Sequence, residues 1–175
     1  MPPILNANFN HVAVSVPDAD AAVAWYTELF GFRVISPVYG PEFKAMKIAL
    51  LSCGNGVGFE IFEFPEPKYS GPHKRIDWGP ETYTKGGYFH LCLTVPNVEE
   101  KVKEAVKKGA SVVGEMDLAG GERTAYLQDP WGNVVELLSL TFDQLFLKFK
   151  DERIKGTLVV IGTLYGVIMP LLKMF

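Results

Sequence analysis

The chain has 175 residues, 48% of them hydrophobic, enough for one ordinary domain or for two small repeated units that share a sheet. Its 20 acidic and 17 basic residues leave a net charge of −3 with no basic run, which excludes a nucleic-acid footprint. The two cysteines, Cys53 and Cys92, stand in no metal or redox spacing and are expected to be buried packing residues of a reducing compartment. Residues 1–8 lack a charged-then-apolar leader, so a cytoplasmic rather than a secreted protein is expected.

In chain order, 9–16 reads as an alternating strand that carries His11 and ends at Pro17. A helix follows over 19–29, opened by Asp18 and closed by Gly31, with Ala22, Val23, Trp25, Tyr26 and Phe30 as its inward face. Strands are expected over 33–38 and 44–51, split by a turn at 39–42, and Gly54-Asn55-Gly56 signals a hairpin into the next strand. On that strand Gly58, Glu60 and Phe62 share one face, and Phe59, Ile61 and Glu63 share the other. The stretch 64–87, rich in Pro, Gly and aromatics, reads as a connection between units that could also cover a site, with His73 a solvent-exposed loop residue.

The plan then repeats. A strand over 88–95 carries His90, and a helix over 98–108 closes at Gly109. Strands over 111–116, 123–128 and 133–139 follow, with a turn at 119–121 and Glu136 inside the last strand. The alternating charges between Glu99 and Lys108 read as a solvated helix face.

His11 with Glu60 and His90 with Glu136 therefore form two pairs in matching local text. A carboxylate among core residues needs a partner, because burying it alone is costly. Two imidazoles and two carboxylates suit a divalent metal of intermediate hardness, Zn, Ni, Co, Mn or Fe, without selecting one. The same residues also admit two core histidines hydrogen-bonded to neighbouring glutamates.

The run Asp129-Pro130-Trp131-Gly132 ending in Glu136-Leu137, and the strand and helix of 90–110, resemble the vicinal oxygen chelate superfamily of glyoxalases, bleomycin-resistance proteins and extradiol dioxygenases. The resemblance spans about residues 8–140. It implies an α+β fold of two βαβββ modules, about 8–64 and 88–140 with a linker at 65–87, forming a curved mixed sheet around a central cavity. It implies metal ligation by His11, Glu60, His90 and Glu136, with Glu136 or Glu60 as the ligand carboxylate that moves a proton beside a carbonyl. It further implies a homodimer acting on a small-molecule substrate as a lyase or isomerase. An Fe(II) extradiol dioxygenase and a metal-free, ligand-sequestering protein are the alternatives. The first would find Glu60 in a position its oxygen chemistry needs, and the second generally lacks the ligand set. Glutathione-dependent glyoxalases of this family carry an arginine and an asparagine where this chain has Ser15 and Phe64, so the resemblance argues against strict glutathione dependence. An acyl-CoA epimerase of the family would need a further carboxylate on the third strand, which 44–51 does not offer.

Phe9, Phe62, Phe64, Tyr88, Cys92, Arg123 and Tyr126 are the candidate substrate contacts. A site so lined is mostly apolar and would favour an aromatic or lipophilic substrate, unless these residues simply pack the sheet.

Beyond residue 140, a helix is expected from Thr141 with Leu145, Phe146, Phe149 and Ile154 as its apolar residues, ending at Gly156. Residues 157–172 then carry no charge, a run just short of the ~20 residues that span a bilayer. As a membrane-associated extension 141–175 would be tail-anchored through 157–175; the competing reading is a segment docked on water-soluble protein.

Overall fold

The computed structural model describes residues 7–39, 47–64, 76, 79–84, 86–118 and 121–154. The chain divides into two compact units, 1–71 and 72–175.

The first unit runs β1 (His11–Val16), α1 (Ala19–Phe30), β2 (Arg33–Tyr39), β3 (Lys47–Gly54) and β4 (Val57–Glu63). Its sheet order is β1-β4-β3-β2, with β1 parallel to β4 and the other neighbours antiparallel. A parallel pair needs a crossover, and α1 begins it. Asp18 caps α1 by accepting from Ala21 N–H at 3.0 Å, and Glu63 at the end of β4 accepts from Ala19 N–H at 2.8 Å. Both carboxylates thus sit at the positive end of the helix dipole. At the other end Gly31 takes the left-handed conformation, φ 70°, and donates to Thr27 O. The buried face of α1 is Ala19, Ala22, Trp25, Tyr26 and Leu29. Val23 and Phe30, expected inward, are half-buried instead, because the spacing 22, 25, 26, 29 keeps one stripe on the sheet and rotates 23 and 30 to its margin. Tyr26 is the centre of this core, 4.6 Å from Phe59 and stacked 5.7 Å from Phe32. Val16, Ala49, Leu51, Phe59 and Ile61 complete it from the sheet.

The second unit runs α2 (Pro80–Thr84), β5 (Leu91–Thr94), α3 (Val98–Lys107), β6 (Ser111–Asp117), β7 (Arg123–Gln128), β8 (Val134–Leu138) and α4 (Phe142–Ile154). Its sheet order, β5-β8-β7-β6 with β5 parallel to β8, repeats the first. Even the irregularity recurs, since β2 shifts register between Val34 and Ser36 and β6 between Val112 and Gly114. Asn97 caps α3, whose Val98, Val102 and Ala105 pack on the sheet face that carries Leu91, Ala125, Leu127, Val135 and Leu137. The turn between β7 and β8 is tied by buried Asp129, which accepts from Trp131 N–H, Asn133 N–H and Asn133 Nδ2 at 2.7–2.9 Å. Gly132 closes it at φ 101°, a conformation open to glycine.

Two four-stranded mixed sheets of βαβββ connectivity are therefore present, as expected from the resemblance. The expected connection between units contains a short helix, α2. The expected turn at 39–42 is described only at Tyr39, and His73 and the run 157–175 lie outside the described residues. Among the described residues no helix is long and apolar enough to cross a membrane. α4 begins on a reciprocal cap, with Thr141 N–H donating to Gln144 Oε1 and Gln144 N–H to Thr141 Oγ1. It is held to the unit by buried Leu145 and by Lys148, whose Nζ lies 2.6 Å from Glu122 Oε1.

Candidate metal-ligating pairs

In the first unit β1 and β4 run side by side with His11 opposite Gly58 and Ala13 opposite Glu60. His11, Ala13, Gly58, Glu60 and Phe62 thus share the sheet face away from α1. Glu63 points the other way and caps the helix, and Glu60 is the carboxylate of β4 that lies beside the histidine. His11 Nε2 stands 3.6 Å from Glu60 Oε2. Its Nδ1 donates to Asn10 Oδ1 at 2.7 Å, so in the neutral ring the Nε2 lone pair faces the carboxylate. Gly58 makes this possible, since a Cβ there would lie 3.0 Å from His11 Cβ.

In the second unit His90 directly precedes β5, and Cys92 pairs with Glu136. His90 Nε2 lies 2.9 Å from Glu136 Oε2, and the ring meets Tyr126 edge-on at 5.4 Å. The Thr124 hydroxyl lies 2.9 Å from Glu136 Oε1. Burial raises the Glu136 pKa, but hydrogen bonds from His90, Thr124 and Tyr126 outweigh it and leave the carboxyl below its usual value. Cys92, expected buried, is exposed. It sits on the same face as Glu136, and burial of its thiol followed by the Glu136 charge and a hydrogen bond to Glu136 raise its pKa. Cys53 is half-buried, its thiol pushed up to about 11 by burial.

The candidate substrate contacts divide. Phe62 shares the Glu60 face, and Tyr126 and Cys92 share the Glu136 face. Phe64 is half-buried just past β4, with its N–H on Val16 O. Phe9 and Tyr88 are exposed, each two residues ahead of its histidine. Arg123 is the correction. Strand alternation puts Thr124 and Tyr126 on the Glu136 face and Arg123 on the α3 side, where it pairs with Glu115 and Asp117. Thr124 and Asn10 were not singled out from the sequence, and Gly58 was named only as sharing the Glu60 face. Thr124 was readable in principle, lying two residues before Tyr126 on an alternating strand.

Each pair has the donor chemistry a divalent ion takes, one imidazole nitrogen and one carboxylate oxygen. Two such donors about 2.1 Å from one ion stand roughly 3.0–3.4 Å apart. The observed 3.6 Å and 2.9 Å bracket that separation. Among the described residues no cluster of three or more His, Cys, Asp and Glu side chains forms a complete metal site. Each pair by itself supplies two such donors.

A duplicated βαβββ unit with a His–Glu pair on the open face of each sheet defines the glyoxalase class of folds. The chain belongs to the Glyoxalase/Bleomycin resistance protein/Dioxygenase superfamily, whose sequence model matches residues 8–137. It is 28% identical to the lactoylglutathione lyase of Salmonella typhimurium over 131 residues, 73% of this chain and 89% of that protein. It is 27% identical to a 2-epi-5-epi-valiolone epimerase of Actinomyces sp over 151 residues, 75% of this chain and 78% of that one. Among solved structures SMU.1112c superposes with TM-score 0.57 at 30% identity, covering 76% of this chain and 98% of its own. The Leishmania major glyoxalase I superposes at 0.60 with 21% identity, covering 86% and 99%, and so speaks to the fold.

Proposed function

We propose that this chain is a divalent-metal-dependent lyase or isomerase that moves a proton between adjacent carbons of a small, mostly apolar substrate bearing two neighbouring oxygens. The observation that carries the reading is the repeated pair, His11 with Glu60 and His90 with Glu136, set in the same register in both units. The relatives named lactoylglutathione lyase and 2-epi-5-epi-valiolone epimerase support the reading of a lyase or isomerase.

His11, Glu60, His90 and Glu136 would hold the ion, one pair of each kind drawn from one chain or from two copies in a homodimer. When bound, the metal supplies a Lewis acid that lowers the cost of negative charge on the substrate oxygens. The imidazoles stay as fixed donors, and a ligand carboxylate, Glu60 or Glu136, takes the proton and returns it to the neighbouring carbon. Phe62, Tyr126 and Cys92 offer apolar contact on the same faces. Ser15 and Phe64 supply neither a positive charge nor an amide for a charged peptide thiol, so the substrate is a small α-hydroxycarbonyl or hemithioacetal without strict need of glutathione.

The test is metal content of the purified chain by mass spectrometry, followed by assay of the loaded protein on hemithioacetals of methylglyoxal formed with glutathione and with a small neutral thiol. The reading expects about one divalent ion per pair set, lost in His90→Ala, and turnover with the neutral thiol adduct. Failure to retain Zn, Ni, Co, Mn or Fe after loading with each would refute it.

A further inference from the structure

α4 is fastened along one stripe and bare along the next. Leu145 is buried and Lys148 pairs with Glu122, and these two contacts fix how the helix lies on its unit. Beside that stripe, at the spacing i, i+4, i+7, Phe142, Phe146 and Phe149 form a ridge with ring centroids 4.6 Å and 5.8 Å apart. Phe149 is half-buried, whereas Phe142 is 72% exposed and Phe146 52%. One exposed apolar side chain is ordinary, but rings in contact along one helix face make the contiguous patch that marks a contact surface.

Area and sequence choose among the occupants. At ~200 Å2 per ring, the open parts of Phe142 and Phe146 amount to roughly 250 Å2, about a third of the ~800 Å2 per partner that a stable protein pair buries. The ridge is too small to hold a second copy by itself. In the sequence α4 is followed by 157–172, a run without charge that is bounded by Lys155 and Lys173. At neither the helical nor the strand period does that run have a charged face to leave in water, and a strip of three rings would cover one side of it only. A phospholipid surface takes the ridge and the uncharged run together, and lysine is the residue that reaches from such a run to the headgroups. We propose that the phenylalanine ridge of α4 is a lipid-contact surface, which rests on a phospholipid bilayer with Phe142 and Phe146 at the boundary between headgroups and acyl chains. The charges beside the ridge, Asp143 and Lys150, cancel, so the attraction is apolar and is not addressed to acidic headgroups.

The test is sedimentation of the full chain with phosphatidylcholine vesicles. The unmodified protein is expected to sediment with them and to stay bound at about 0.5 M salt, where screening leaves exposed charges little reach. Phe142→Ser combined with Phe146→Ser is expected to weaken partitioning about tenfold or more, while Phe142→Leu with Phe146→Leu keeps it within about threefold. Because both rings are exposed, the Tm of either double variant should stay within about 2 °C of the unmodified protein. Phe146→Trp reads the contact directly, since the fluorescence it adds should be quenched by phosphatidylcholine brominated on its acyl chains. Partitioning that the serine pair leaves unchanged, or added fluorescence that bromine does not quench, overturns the ridge as the lipid contact. An unmodified chain that does not sediment with the vesicles overturns the proposal outright. In that case a dimeric mass by light scattering that becomes monomeric in the serine pair assigns the ridge to a second copy, and a Tm lowered by about 4 °C or more assigns it to the chain's own following segment.

Discussion

Gly58→Ala separates the site from the fold at a single methyl group. The added Cβ would lie 3.0 Å from His11 Cβ, against ~3.5–4.0 Å for carbon atoms at ordinary contact, so His11 must withdraw by about half an ångström. Gly58 does not need the left-handed backbone, and alanine there reduces the freedom of the unfolded chain, which stabilises by about 0.4–1 kcal/mol. Displacing the histidine from its preferred rotamer costs about 0.5–1.5 kcal/mol, so the two effects nearly cancel. His11 is the part that can yield, with 47% of its side chain exposed. Its Nε2 already stands 3.6 Å from Glu60 Oε2, slightly wider than the roughly 3.0–3.4 Å expected of two donors on one ion. A further shift works against ligation. The expected outcome is a Tm within about 3 °C of the unmodified protein, a shift of no more than about 1 kcal/mol, with Zn2+ affinity lowered about tenfold or more. Thermal unfolding without metal and chelator competition with metal measure the two separately. A Tm lower by about 8 °C or more with unchanged Zn2+ affinity would show Gly58 to be a packing position only and refute the reasoning.

Tyr26→Ala removes a fully buried ring that touches Phe32 and Phe59, and should cost about 3–5 kcal/mol in urea unfolding; a loss below 1 kcal/mol would mean the first unit's core lies elsewhere. Glu122 is held below the usual carboxylate range by the hydrogen bond from Lys148, with one from Ser139 added. Because its folded pKa is the depressed one, the tie to α4 is fully present above the ordinary glutamate pKa and is lost as pH falls through the lowered folded value. Amide exchange in α4 should therefore quicken on acidification below about pH 4, and Glu122→Gln should remove that dependence; equal protection at all pH values in the unmodified chain would contradict it. Cys92 should react slowly with iodoacetamide at neutral pH despite its exposure, since burial of the thiol and then the neighbouring Glu136 charge keep it protonated, and Glu136→Gln should speed the reaction. Equal rates in the two proteins would show that Glu136 does not act on the thiol.

Much of the fold was legible because punctuation and period agree. Asp18 and Asn97 cap the helices they precede, and Asn55, φ 51°, with Gly56, φ 74°, forms the expected tight hairpin. The pairs were legible because a lone glutamate among apolar strand residues has few physical explanations. What sequence could not supply was the side of the sheet for residues next to a register shift or a strand end. Arg123 was placed near the site from proximity along the chain, whereas the pleat turns it to α3 and to Glu115 and Asp117. Cys92 was expected to be a buried packing residue because it stands in no metal or redox spacing, and it is exposed instead, on the Glu136 face where its place as a candidate substrate contact had put it. Thr124 drew no reading from the sequence, and the antiparallel partner strand shows that its hydroxyl meets a carboxylate. Such contacts depend on register across strands, which local sequence does not encode.

The duplication itself carries a further argument. His11 precedes Glu60 by 49 residues and His90 precedes Glu136 by 46, as 60 − 11 and 136 − 90 give, so the spacing along the chain has drifted by three. The register has not. In both units the residue two beyond the histidine pairs with the glutamate, Ala13 with Glu60 and Cys92 with Glu136. The helices between them absorb part of the difference, 12 residues in α1 against 10 in α3. A slip of one residue in either parallel pair would turn the glutamate to the helix side, where Phe59 and Ile61 or Val135 and Leu137 fill the core. There it would be a buried charge without its histidine, at a cost of several kcal/mol. The core thus fixes register, and register delivers each carboxylate to its imidazole. Once that was secured, residues on the neighbouring strand could diverge at little cost to folding: Thr124 and Tyr126 in one unit, Ile48 and Leu50 in the other. A duplicated scaffold in this way keeps two chemically identical pairs in the same register while the strand beside each carboxylate carries different side chains.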